Sequence, residues 1–340
     1  MNKNMTLKEI AERANTSINT VSRALNSKSG VSEQTRQRIM QVAAELNYRP
    51  NMLARSMRGS NTNMLGIVIG DISNIFFVKV LEGIEEITNK ENLTLAIGNS
   101  SENLQKENKN VEMFLSYRCE GLLISPVAGS RQLLEKLKTE AVNFVVLDRP
   151  LPPGIECDHV GINNKGDSQR AVEHIVNCGH RDIAIINVTS HLQTEQDRFS
   201  GYKAALEENG IPLREEYVKY CDSKQSAAQA CGDLLALKKR PTAIFVAKES
   251  LGLEVISTIS NAGLSIPNDV SILLYGDPDW ASVFSPKITC MQRPIKEIGS
   301  IGANILISRM QNPAANDQDV SYKNIVLDSK LMVRDSIRIL

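Results

Sequence analysis

The sequence predicts an N-terminal all-α helix-turn-helix domain followed by an α/β body of two doubly wound parallel-sheet subdomains. Three observations carry that expectation. Apolar residues at helical spacing fill positions 6–46, with a capping signal at their start. From Met64 onward, short β-rich apolar runs alternate with helical stretches, the pattern of βαβ units. Charge is also unevenly spread. Residues 1–60 hold ten Lys/Arg and four Asp/Glu, so the remaining 280 residues carry a net −6. A basic end on an acidic body is the asymmetry expected when one end meets phosphate.

The N-terminal elements can be read in order. Thr6-Leu7-Lys8-Glu9 forms a capping box, and Leu7, Ile10, Ala11 and Ala14 give one apolar face. Asn15 tolerates the left-handed backbone of a tight turn. Ser17 caps a second helix whose inner face is Val21, Ala24 and Leu25. At about 100° per residue, Asn19, Ser22 and Arg23 point outward, with Ile18 at the edge. A third helix starts at Ser32 and buries Ile39, Val42, Ala43 and Leu46. Helical spacing alone fits any small bundle; the turn, the cap and the local charge point to a reader of the major groove. There Asn pairs with adenine and Arg with guanine.

In the body, strands are expected at 65–70, 93–99, 121–125, 143–148, 159–162, 183–188, 218–221, 243–247 and 270–276. Most are continuous apolar runs, as strands buried on both faces are. Helices are expected between them, among them Val78–Lys90, Lys165–Cys178, Phe199–Asn209, Ser226–Leu237 and Leu251–Ala262. Ligands of such sheets bind outside the carboxyl ends of the strands.

Several classes are excluded. No G-x-G-x-x-G follows a strand, and neither a phosphate-binding loop nor a nucleophile elbow is present, so no enzyme and no cofactor are expected. The four histidines (159, 174, 180, 191) and six cysteines show no metal spacing; the thiols read as reduced core residues. The N-terminus has no apolar leader, and no run approaches ~18 apolar residues, so a cytoplasmic, non-membrane protein is expected.

The motifs A-x-x-A-x-x-S-x-x-T-V-S-R-x-L-N, V-S-x-x-T-R-x-x-I and L-N-Y-R-P-N-x-x-A-R-S-M-R together resemble the LacI/GalR (lactose-repressor) family of bacterial transcription regulators. The resemblance runs to Asp335. It implies a helix-turn-helix domain (1–49), a hinge helix and linker (50–61) and a periplasmic-binding-protein-like core (62–340). The core is expected to divide into one subdomain of 62–162 plus 293–321 and another of 163–292 plus 322–340, crossed by three strands. Ile18, Asn19 and Arg23 fall on the family's base-contacting positions. Thr6, Ser17, Thr20, Ser22 and Asn26 complete the expected DNA-contacting set there. Hinge helices of two subunits pack in the minor groove; here Asn51, Ala54, Arg55 and Met57 would do so, with Met57 where a leucine usually wedges a base step apart.

Expected cleft positions are Asn74, Phe76, Phe77, Ser125, Asp148, Arg149, Arg198, Ser223, Lys248, Gly276, Asp277 and Arg293. Departures from the family pattern are concentrated here. The usual A-N-D is Ala247-Lys248-Glu249, and the usual G-F-D-D is Leu274-Tyr275-Gly276-Asp277. The usual V-R-Q-P is Met291-Gln292-Arg293-Pro294. Lys248, Gly276 and Arg293 each move the cleft toward positive charge. Buried unpaired cations are costly, so a partner is expected. An anionic sugar-acid effector supplies one; a sugar phosphate, or protein carboxylates such as Glu249, Asp277 and Asp279 around a neutral sugar, are the alternatives. The expected whole is a homodimer on palindromic operator DNA, repressing carbohydrate catabolism genes and released by its effector. A solute-binding receptor would share the body but lack the basic end, and a regulator bridged by a phosphoprotein stays open.

Overall fold

The computed structural model describes residues 6–25, 29–46, 48, 62–188, 192–312 and 321–340. The chain divides into two units, Met1–Thr62 and Asn63–Leu340. In the first, α1 (Leu7–Arg13), α2 (Ile18–Leu25) and α3 (Glu33–Glu45) enclose a core of Ile10, Ala14, Val21, Ala24, Ile39 and Ala43. The Thr6–Glu9 capping box is formed, and Asn15 has φ +47° in the turn. Arg36 on α3 donates to the Ala24 carbonyl at 2.8 Å, which anchors the end of α2.

The second unit contains two six-stranded sheets. The first is built from β1 (Met64–Ile69), β2 (Thr94–Asn99), β3 (Gly121–Ile124), β4 (Phe144–Asp148), β5 (Asp158–Ile162) and β11 (Asn324–Leu327), in the order β11-β5-β4-β3-β1-β2, all parallel. The second contains β6 (Ile183–Val188), β7 (Val218–Cys221), β8 (Ala243–Val246), β9 (Ser271–Tyr275), β10 (Thr289–Gln292) and β12 (Lys330–Met332). Its order is β12-β10-β9-β8-β6-β7, parallel except where β12 runs against β10.

Helices cover both faces. Around the first sheet are α4 (Ile75–Lys90), α5 (Leu104–Ser116), α6 (Arg131–Thr139) and α11 (Ile295–Gln311). Around the second are α7 (Asn164–Asn177), α8 (Gln193–Glu208), α9 (Lys224–Leu235) and α10 (Gly252–Asn261). The apolar runs alternate as doubly covered strands must: Leu65, Ile67 and Ile69 join the core under α4 and α11, whereas Val68 joins the core under α5 and α6.

Two sequence expectations need correction. The third crossing lies at 328–329 rather than after 321, because Asn324–Leu327 pairs with β5 in the first sheet. β10, β11 and β12, of three or four residues each, are additional to the expected strands. The cysteines are all unpaired, and burial pushes the thiols of Cys157, Cys231 and Cys290 up to about 12.

Candidate functional site

Two regions concentrate the candidate residues. On α2, Ile18 is 45% exposed although large and apolar, and Asn19 and Arg23 are exposed beside it. Ser17 accepts from the Thr20 amide at 3.1 Å and pairs with the Thr20 hydroxyl at 2.9 Å, so both serve the helix start. The Thr6 hydroxyl caps α1. Arg23 donates through Nε and Nη2 to the Ser29 carbonyl at 3.0 and 2.7 Å. Asn26, Asn51, Ala54, Arg55 and Met57 lie outside the described residues. Asn19 is exposed on α2. Asn19→Ala should therefore leave the melting temperature unchanged, while the preference for duplexes selected by the parent protein over random DNA falls by about 1–3 kcal/mol. Fluorescence anisotropy with both DNAs measures this, and an unchanged preference would remove Asn19 from the readers.

In the second unit a cleft opens at the carboxyl ends of both sheets. It holds about 580 Å³ of space, including space open to solvent at its mouth. Eight of the twelve expected residues line it: Asn74, Phe76, Phe77, Asp148, Arg149, Arg198, Lys248 and Arg293. The Asn74 side chain caps α4 by accepting from the Phe76 amide at 3.1 Å, which sets the two phenylalanines on the cleft wall. The rings meet edge to face at 5.2 Å.

Four expected residues do not line the cleft. Ser125 is buried behind it. Ser223 caps α9, reciprocally bonded with Ser226. Asp277 accepts both Nη atoms of Arg334, at 2.8 and 2.9 Å. Gly276 lies behind Glu249 rather than at the surface of the cleft. The lining adds Glu102, Leu192, Thr194, Glu195, Glu249 and Ser250.

The added glutamates change the electrostatics. Arg293 donates to Glu249 at 2.7 Å, Arg198 to Glu195 at 3.0 Å and Arg149 to Glu102 at 2.5 Å. Of the two partners expected for the cleft cations, protein carboxylates or an anionic ligand, the arginines have the first: each has its own carboxylate. Gly276 makes one pair possible. It has φ +124°, and a Cβ there would stand 2.1 Å from the Glu249 Oε2 that Arg293 grips. Gly70, at the end of β1, similarly leaves room for Arg149 and Glu102. Lys248 is the cleft cation with no ion pair among the described residues.

Asp148 closes the tally at four cations and four carboxylates. It is half-buried by surface area, but protein surrounds its carboxyl, and φ is +68°. Ser101 and Glu102 are also left-handed, at +50° and +55°, so backbone strain gathers at this wall. Desolvation holds the Asp148 carboxyl above its ordinary 3.8, opposed by Arg149, Arg198 and Arg293. The folded chain then binds this proton more tightly than the unfolded chain, so the group's contribution to stability is largest at low pH. It declines as pH rises from the unfolded value through the folded one. Asn tolerates the same backbone. Asp148→Asn should raise the melting temperature by roughly 2–4 °C at pH 7.5 and change it little near pH 4; a lower melting temperature at pH 7.5 would contradict this.

No three His, Cys, Asp or Glu side chains among the described residues are grouped to hold a metal, and no helix among them is long and apolar enough to cross a membrane. His180 bonds Thr242 at 2.8 Å and the Arg338 carbonyl at 2.9 Å, a structural role.

Comparison with known proteins agrees with this architecture. Residues 6–51 match bacterial regulatory proteins of the lacI family, and residues 172–337 match a periplasmic binding protein-like domain. The chain is 30% identical over 340 residues, 98% of each chain, to the "Probable HTH-type transcriptional repressor ExuR" of Bacillus subtilis. It is 29% identical to catabolite control protein A of Priestia megaterium, over 98% of this chain and all of that one. Among solved structures, the transcriptional regulator CelR–cellobiose complex aligns with TM-score 0.72 and 25% identity, over 98% of this chain and 99% of that one. The lac repressor dimer bound to operator and the anti-inducer ONPF aligns with TM-score 0.86 at 24% identity, over 99% and 100%, a likeness of fold.

Proposed function

This chain belongs to the lacI family of bacterial regulatory proteins and is a DNA-binding transcriptional repressor, not an enzyme; on that premise we propose that its cleft takes a sugar acid with a single carboxylate. The observation that carries the reading is the state of Lys248. The three arginines are each matched by a glutamate, whereas Lys248 has no ion pair among the described residues, which leaves a local excess of one positive charge there. One carboxylate balances that excess, whereas a phosphate dianion overshoots it. Phe76 and Phe77 offer apolar faces to a sugar ring, and the paired glutamates accept from its hydroxyls.

The ligand releases the operator by changing the angle between the subdomains, and so the spacing of the two hinge segments in a homodimer. The dimer reads a palindrome, one half-site per helix-turn-helix, in the cytoplasm, and the genes controlled serve carbohydrate catabolism. A neutral sugar is the second reading, favoured by the internal pairing of all three arginines. Calorimetry of the full chain with D-glucuronate, D-galacturonate, D-gluconate, D-glucose 6-phosphate and D-glucose separates them. A sugar acid should bind, and Lys248→Gln should weaken it by about tenfold or more, the worth of one charge-assisted hydrogen bond. Binding of D-glucose alone, unaffected by Lys248→Gln, supports the second reading instead.

A further inference from the structure

Three strands cross between the subdomains, at 162–164, 292–295 and 327–330; side chains of the first two meet Tyr275 at the end of β9, and the third reaches it through Asp167. Its ring is fully buried. The ring lies under two cleft cations, with the Arg198 guanidinium carbon 4.4 Å from its centroid and that of Arg293 5.6 Å away. Arg293 is itself part of the second crossing. At the other end of the ring, the hydroxyl donates to Asn164 Oδ1 at 3.0 Å and lies 3.3 Å from Asp167 Oδ2. Arg198 Nε donates to that same Asn164 oxygen at 3.1 Å.

The two acceptors lead directly into the remaining crossings. Asp167 accepts the Ser329 amide at 3.1 Å and also the Ser329 hydroxyl. Arg170 donates to Asp167 at 2.6 Å and to the Ser329 carbonyl at 3.2 Å. The first and third crossings are stitched side by side: the Asn163 amide donates to the Leu327 carbonyl at 2.9 Å, and its side chain donates to Asp328 at 3.0 Å.

We propose that Tyr275 is a positioning residue that couples the cleft to the crossings, with its ring registering Arg198 and Arg293 and its hydroxyl holding the first turn of α7 against Ser329. A rigid ring contacted on its face by both cations cannot follow them without moving its hydroxyl. Buried polar groups that share acceptors in this way are coupled beyond the sum of their pairs. The inference rests on the cleft reading only in taking Arg198 as its ligand-facing end, and it is tested without ligand or DNA, so the two can fail separately.

The experiment is hydrogen exchange at the Ser329 amide in the full chain. Tyr275→Phe keeps the ring and removes one hydroxyl, and Arg198→Lys keeps the charge. Each should accelerate exchange at Ser329 by about tenfold, and the double variant should be no faster than Tyr275→Phe alone. Tyr202→Phe, which removes the hydroxyl donating to the Ile183 carbonyl at 2.8 Å in the same subdomain, should leave Ser329 unchanged. Unchanged exchange in Tyr275→Phe, or multiplicative effects of the two variants, overturns the proposal. An equal response to Tyr202→Phe also overturns it, since that is general loosening.

Discussion

Arg198→Ala is expected to lower the unfolding free energy by about 3–5 kcal/mol, the cost of breaking a buried pair on one side. Arg198 is buried on α8. Its Nε donates to Asn164, its Nη1 donates to Glu195 and to the Ala247 carbonyl, and its guanidinium stacks on Tyr275. Alanine leaves the buried Glu195 carboxylate without its cation and the Ala247 carbonyl without this donor, while Asn164 Oδ1 keeps the Tyr275 hydroxyl. Arg198→Lys retains the charge but not the fork, so it should cost less. Urea denaturation measures both. A loss below about 1 kcal/mol in Arg198→Ala, the range of an exposed ion pair, would show that solvent already screens this one.

The second large effect is expected at Gly276. Gly276→Asp restores the acid that the family pattern has there, yet it should destabilise the protein by about 3 kcal/mol or more, combining backbone strain at φ +124° with a clash. The space a side chain needs is occupied by Glu249, held there by Arg293. Gly276→Ala should be milder but still harmful, and Glu249→Ala in that background should recover part of the loss, because it removes the atoms that the new Cβ meets. Thermal unfolding of the two single variants and the double decides the matter. Additive losses would mean that Gly276 and Glu249 are independent, and that the departures at 248–249, 276 and 293 are not one rearrangement.

The contrast between these residues explains what could be read from the sequence. The fold was legible because its signals are local. The Thr6–Glu9 box, the doubly buried strand runs and the helical spacing each lie within a dozen residues, and together they give the helix-turn-helix unit and both sheets. The cleft cations were legible because they fall on the cleft positions of the family resemblance; Arg149 and Lys248 also lie just past β4 and β8, whereas Arg198 lies within α8. Of their partners, Glu249 was a candidate from its place beside Lys248, but Glu195 and Glu102 were not. Glu195 was missed because α8 was expected from Phe199, whereas it starts at Gln193 behind Leu192, which makes no capping bond. That start puts Glu195 and Arg198 one turn apart on the same face.

Glu102 sits in a left-handed pair, Ser101-Glu102, without the glycine that usually signals one. The Glu249–Gly276–Arg293 arrangement joins positions far apart in the chain, and only the packed structure brings them together. Ser223 and Asp277 erred in the opposite direction. Both follow strands as cleft residues do, but one is committed to the start of α9 and the other to Arg334.

The central claim is that one carboxylate-bearing sugar in the cleft controls the grip of this repressor on DNA. The most direct measurement is operator affinity of the full chain, on duplexes it selects itself, with and without saturating D-glucuronate, D-galacturonate, D-gluconate, D-glucose and D-glucose 6-phosphate. Linkage of this kind is typically worth about 1–3 kcal/mol, so a sugar acid is expected to weaken operator binding by roughly 5–150-fold. D-glucose should leave the affinity unchanged, and Lys248→Gln should abolish the response to the acid. Release by D-glucose or D-glucose 6-phosphate, with no response to any of the acids, would contradict the account.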